Sequence, residues 1–526
     1  MDSTSIPFAK ARRDAGRQTP TAEHASAAPR RIILWVCIDT HFREMARLAR
    51  MLRQEGRHEP YILFAEDYPL IAADFETCRR EQFEFGHFRR PVENPAPVAI
   101  APPSQSPVPA KRRLRIGIGR TKRVVGAVRN RFRETLSKIP FCRMIFDAVS
   151  VARVFSRQFT MARECLAEIE ADVLVLPEDN VEYSTAAFIR AAHELHMPAI
   201  VIPYSLCNAQ EPAEAYYNHP AYQAERPLNR LVCKFFPKWK LNYRGRNLVR
   251  MPAAWIIARE YLKLGPPNPW LWNSGDADCY VVDSRAAYHY YVDCGQPAER
   301  TRVLGSLRQD NLAAFRRAAN VEREKLLAEQ NLPRRDLLVV CAFPPFQAPM
   351  PKPGCEFANY RELCEAWLAE LADVRERANV IVVPHPRMSG EEVAFLKQQG
   401  LPVVSDDIVR CLAVADVYVA SVSATIATAN SCGIPVINYD VYAFDYDDYK
   451  QVPGVLAVRT RAAFREQLQK LTGDAEYRAE VRRAQQAVAS HWGVLDGEAG
   501  RRLCDLMEEL VAVRRPGAVA RMTAAA

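Results

Sequence analysis

The chain has no C-x-x-C pair among its fourteen cysteines, no G-x-x-x-x-G-K-[ST] loop and no tandem repeat. Scattered cysteines read as reduced structural thiols, not as a disulfide frame or a zinc site. Without the phosphate-cradling loop, P-loop phosphoryl transfer is the weaker rival reading. No segment approaches the run of about 20 apolar residues that a membrane span requires. The opening "MDSTSIPFAKARRDAGRQTP" lacks the apolar centre of a secretory leader, so a cytoplasmic protein is expected. Basic stretches occur, but aromatics are not interleaved with them as in a stacking platform, and no nucleic-acid partner is expected.

What is present is ordinary globular composition: 526 residues, 49% hydrophobic and 25% charged, with a formal net charge of +9. That length accommodates two or three domains with separate cores. The modest positive charge permits an anionic partner without specifying one.

Residues 1–29 carry no periodicity and read as a tail. Ile32 to Ile38 form an apolar run followed by Phe42, Met45, Leu48, Ala49 and Leu52 at helical spacing, and "EPYILFAE" then reads as a second strand. Strand, helix, strand at this spacing predicts a parallel βαβ unit. Seven prolines between 91 and 109 mark a semi-rigid linker, and 111–133 holds ten basic residues and no acid. "ADVLVLPEDN", "PAIVIPYS" and "DADCYVVDS" are further strands, while 209–273 is irregular and aromatic-rich. Strands resume at "DLLVVCAF", "NVIVVPHPR", "LPVVSDD", "ADVYVASVS" and "IPVINYD", with helices from about 476 to 513.

In open parallel sheets, ligands settle beyond the carboxyl ends of strands. Three such ends in the second half are polar: His385 and Arg387 after one strand, Ser421, Ser423 and Thr425 after the next, and Asp440 and Tyr442 after a third. The hydroxyl-rich turn leads into a helix ended by Gly433, so N–H groups, a dipole end and hydroxyls converge on an anion, and Arg387 adds a planar fork. Ser423 as a plain helix cap is the competing reading. Asp440 is placed to accept from sugar hydroxyls and Tyr442 to border a ring; an acidic solvated loop explains them equally well.

Two Rossmann-like halves, a His-Pro after a strand, S-x-S-x-T at a strand-to-helix turn, then Gly-Ile-Pro-Val-Ile and an acidic tyrosine-rich loop resemble the GT-B-fold transferases of surface and capsular polysaccharide synthesis. The chain is similar in these motifs to the CDP-glycerol glycerophosphotransferase and bacterial polysialyltransferase families. The resemblance implies two doubly wound α/β domains facing a cleft, with C-terminal helices crossing back. It implies an acceptor domain over 30–310 with an insertion at 91–134, a linker at 311–325, a donor domain over 326–475 and terminal helices over 476–526. Donor phosphates would lie on His385, Ser421, Ser423 and Thr425, and Ser306 would lie near the cleft.

The implied activity is transfer from a nucleotide-activated sugar or polyol to a glycan or lipid-linked acceptor. An acceptor base is expected from Glu178 or Asp179 at one strand end, or from His41 or Asp39 at another; either pair also suits capping of the next helix. No metal or other cofactor is expected. The run 111–133 suits peripheral contact with an anionic membrane at its inner face, or simply a solvated helix. Two other functions fit the same architecture: a nucleotide-sugar 2-epimerase and a non-catalytic subunit of a polysaccharide assembly complex.

Overall fold

The computed structural model describes residues 29–65, 68–69, 72–88, 139–203, 209–404 and 407–514. The N-terminal tail, the proline-rich linker and the basic run 111–133 lie outside these residues. The chain divides into two compact units. The first comprises 1–49, 55–201 and 207–278; the second comprises 50–54, 202–206 and 279–526.

The first unit is built on β1 (Arg30–Val36), β2 (His58–Phe64), β3 (Glu84–His87), β4 (Val173–Leu176) and β5 (Ala199–Val201), in the order β3-β2-β1-β4-β5. All recorded pairs among them are parallel. This is the Rossmann order, in which the chain reverses direction across the sheet between β1 and β4. Ile32 to Val36 have no exposed surface, as a continuous apolar run covered on both faces requires. The 30-residue helix Pro140–Ile169 starts with proline at its first turn and buries Met144, Ala148, Val151, Phe155, Gln158, Ala162, Leu166 and Ile169 at spacings of three and four.

The stretch 209–273 is more regular than its sequence suggests. It contains helices Gln210–Tyr216, Pro227–Phe235 and Ala253–Tyr261, and an antiparallel hairpin of β6 (Lys240–Tyr243) and β7 (Arg246–Val249). Trp239, fully buried, anchors a cluster with Val232, Val249 and Ile256. These elements are short and share one core, so no single segment displays a clear period.

In the second unit, β8 (Cys279–Val282) and β9 (Thr301–Val303) pair in parallel. β10 (Leu338–Phe343), β11 (Asn379–Pro384), β12 (Val417–Ala420), β13 (Val436–Tyr439) and β14 (Val455–Val458) form a five-stranded sheet in the order β11-β10-β12-β13-β14. Side chains alternate between two cores: Val339, Cys341 and Phe343 face one, Leu338 and Val340 the other. Covering on both faces makes this a doubly wound layer.

The expected strand "LPVVSDD" is reduced to one parallel bridge, Val382 with Val403. Pro402 has no N–H for a ladder, and only its carbonyl takes part, accepting from Val382 N–H. Counting that bridge as a rudimentary strand, the second unit repeats the 3-2-1-4-5-6 order, with its reversal between β10 and β12. The terminal helices Ala475–Trp492 and Ala499–Arg514 are separated at Gly493, where a side chain would press on Ser431 and Gln309. Among the described residues, no helix is long and apolar enough to cross a membrane.

Candidate functional site

Each unit concentrates polar side chains where its strand order reverses. In the first, the ends of β1 and β4 bring His41 and Glu178 together: His41 Nε2 lies 3.5 Å from Glu178 Oε2, and both side chains are buried. His41 Nδ1 accepts from the Cys37 N–H at 3.3 Å. An acceptor at Nδ1 leaves the neutral ring's proton on Nε2. The His41 ring meets Tyr183 edge-on.

Asp179 sits beside this pair in a separate cradle. Its Oδ1 accepts from Thr185 Oγ1 at 2.8 Å, and its backbone N–H and C=O are both bound by Asn273, each at 2.7 Å. Asn273 holds this clamp at φ +61, a conformation asparagine tolerates better than most residues. Gly275 follows because there is no room for anything larger: a Cβ there would lie 1.7 Å from Asp179 Oδ2. Burial pushes the Asp179 carboxyl up to about 6, with Asp276 and Glu178 adding to the rise, while the Thr185 bond and the Arg259 charge oppose it. Desolvation in turn lowers Arg259 to about 10, and Asp179 holds it partly up. The result is a buried acid poised to ionise near neutrality.

Asp39 lies elsewhere. It occupies the first turn of the helix Asp39–Glu55, and its charge acts on Asp74 and Tyr68. Of the four expected base candidates, His41, Glu178 and Asp179 are thus neighbours and Asp39 belongs to a different environment.

In the second unit the reversal lies between the ends of β10 and β12. β12 runs into Ser421, Val422 and Ser423, and the helix Thr425–Cys432 starts without a side-chain cap. Ser423 Oγ is 2.7 Å from Thr425 Oγ1, which also bonds the Tyr418 hydroxyl. Ser423 Oγ accepts from Thr425 N–H at 3.3 Å as well. Gly433 ends the helix at φ +65, as the sequence predicts.

The unexpected residue is Val422, at φ +44. A β-branched residue in the left-handed region costs about 1–3 kcal/mol and persists only where its surroundings enforce it. The restraint is visible: Val422 N–H donates to Asn438 Oδ1 on β13 at 2.9 Å. Ser421 Oγ is buried with no hydrogen-bond partner among the described residues. An unmet buried hydroxyl costs about 1–3 kcal/mol. Strain at Val422 and an unmet hydroxyl at Ser421 thus adjoin at the carboxyl end of β12.

His385 follows β11, on the far side of β10 from β12, so it stands two strand spacings from the corner, about 10 Å along the same edge. The Arg387 N–H donates to His385 Nδ1 at 3.1 Å, which leaves the neutral ring's proton on Nε2. The Arg387 side chain is exposed.

The remaining expected donor residues each have partners within the fold. Asp440 accepts from the N–H groups of Phe444 and Asp445 at 2.9 and 2.7 Å, folding the loop back on itself. It also lines a cavity of about 270 Å³ with Val422, Asn438, Tyr446, Lys450 and Arg459. Tyr442 is fully buried, its hydroxyl donating to the Pro345 carbonyl at 2.7 Å. Ser306 caps the helix Leu307–Arg317 by accepting from Gln309 N–H at 3.3 Å.

No family model matches the chain, and no curated protein matches it. Among solved structures it is similar to the UDP-GlcNAc 2-epimerase from Neisseria meningitidis bound to UDP-GlcNAc, at 10% identity and TM-score 0.49, covering 91% of this chain and 100% of that one. It is also similar to CalG4, the calicheamicin glycosyltransferase, at 14% identity and TM-score 0.46, covering 92% and 98%. A third is the wall teichoic acid polymerase TagF, at 12% identity and TM-score 0.41, covering 66% and 73%.

Proposed function

We propose that the chain is a transferase that moves a sugar, or a polyol phosphate, from a nucleotide-activated donor to a surface-glycan acceptor. The observation that carries this reading is the strained corner of the second unit: Val422 at φ +44 between the unpartnered Ser421 hydroxyl and the Ser423–Thr425 hydroxyl pair. A helix start, hydroxyl donors and the Nε2–H of His385 across β10 form two banks of donors at one sheet edge. Their separation of about 10 Å suits a diphosphate with its coordinating atoms, not a direct side-chain bond.

On the first unit, the acceptor hydroxyl loses its proton to the Glu178–Asp179–His41 group. Asp179, at about 6, ionises where a base working near neutral pH should. The His41 imidazole stands 3.5 Å from the neighbouring Glu178 carboxylate. The proton leaves the hydroxyl as its oxygen attacks the donor, and the nucleotide departs carrying the electron pair of the broken bond.

The test is turnover by the full chain with CDP-, CMP-, UDP- and GDP-linked donors, with and without a surface-glycan oligosaccharide, followed by mass spectrometry of both substrates. Nucleotide release that depends on the oligosaccharide, with a matching mass gain on it, is the expected result. Donor epimerised without acceptor would identify a 2-epimerase. Tight nucleotide binding with no turnover of any donor would point to a non-catalytic subunit.

A further inference from the structure

The first unit carries an apolar surface that its core does not use. On the helix Pro140–Ile169, Met144, Ala148 and Val151 face inward, while Phe141, Ile145 and Val149, spaced by four, form an exposed stripe beside them. The helix Pro227–Phe235 shares a core cluster with Met144 through Val232, and it too leaves a pair spaced by four in solvent, Leu231 and Phe235. Phe235 is 69% exposed.

The second helix opens a strongly cationic stretch. From 226 to 246 there are seven lysines and arginines and no acid. Lys238 and Arg244 are paired with Glu260 and Glu214. Arg230 and Lys234 are exposed on the same helix as Leu231 and Phe235.

We propose that this face, Phe141, Ile145 and Val149 with Leu231 and Phe235, seats the first unit on the headgroup layer of an anionic bilayer. Large apolar side chains bounded by cations are what an interfacial helix presents: rings and branched chains enter the acyl boundary, and ammonium and guanidinium groups stay with lipid phosphates. A second copy of the chain is a poorer occupant, because a self-complementary contact would bring two cationic stretches together. A soluble polyanion would engage the cations and leave the apolar stripe in water. The surface uses none of the residues of the proposed catalytic or donor site, so it stands or falls separately from the transferase reading.

Vesicle flotation of the full chain tests it, using phosphatidylcholine alone and phosphatidylcholine with 30% phosphatidylglycerol. Partition is expected to be on the order of tenfold higher on the anionic vesicles. Both I145S/F235S and R230Q/K234Q should lower it at least about fivefold with unchanged thermal melts. The single variant F235S, at a site with little packing to lose, keeps the apolar arm readable should the double variant unfold. No flotation of the wild type, or full flotation of both variants, overturns the proposal. Loss only in the charge variant, with competition by heparin, also overturns it and identifies a polyanion site.

Discussion

Gly275→Ala tests the Asp179 cradle with one methyl group. The added Cβ would lie 1.7 Å from Asp179 Oδ2 and 2.9 Å from its Cγ, against 3.4 Å or more for ordinary contact, so the carboxyl must retreat by more than about 1 Å. It has little freedom to do so, because Thr185 holds Oδ1 and Asn273 holds the backbone on both sides. Overpacking of this kind costs about 1–3 kcal/mol, and losing the Thr185 bond adds about 1 kcal/mol. We therefore expect urea unfolding to show a loss of about 2–4 kcal/mol. If Asp179 is the base, misplacing it by about 1 Å lowers kcat on the order of 10²-fold. Gly390→Ala, where a Cβ meets nothing within 4 Å and φ is not positive, is the matched control and should be neutral or slightly stabilising. A Gly275→Ala protein with wild-type stability and turnover would refute the cradle.

Three further outcomes follow from the same geometry. Because the Asp179 pKa is raised from 3.8 to about 6, its contribution to stability is full below pH 3.8 and is lost as pH rises through 6. The wild type should therefore lose about 2 kcal/mol more than Asp179→Asn between those limits, read from urea midpoints across the range; parallel profiles would contradict the shift. Asn438→Ala strips the acceptor from Val422 N–H and should cost about 1–3 kcal/mol in chemical denaturation while weakening nucleotide binding, and an unchanged affinity would detach the strained residue from the donor site. Tyr442→Phe removes the hydroxyl's bonds to the Pro345 carbonyl and the Gln347 backbone and should cost about 1–3 kcal/mol with calorimetric affinity intact; a large affinity loss would restore Tyr442 to the donor site.

The sheets were legible because apolar runs such as Ile32 to Val36 and Leu338 to Cys341 are buried on both faces. Position at strand ends led to His41, Glu178, Ser421 and Ser423, and the structure places His41 beside Glu178 and Ser423 beside Thr425. Asn273 and Gly275 were not legible, since they reach Asp179 across more than 90 residues of chain and nothing local marks them. Val422 was hidden for the opposite reason. A positive φ is ordinarily signalled by glycine or asparagine, and here it falls on a residue that reads as strand. Tyr442 stands in an acidic, tyrosine-rich stretch that reads as surface, yet its ring is core and its hydroxyl is satisfied by backbone at Pro345 and Gln347. The signal missing from sequence is the partner, which only the fold supplies.

The central claim is that the strained corner and His385 together hold the donor's phosphates. Isothermal titration with CDP, CMP-sugar, UDP and GDP identifies the preferred nucleotide, and the same titration on Ser423→Ala/His385→Ala tests the claim. Losing two phosphate donors should weaken binding by about 2–4 kcal/mol, with an unaltered melting temperature. Wild-type affinity in a folded double variant would contradict the assignment.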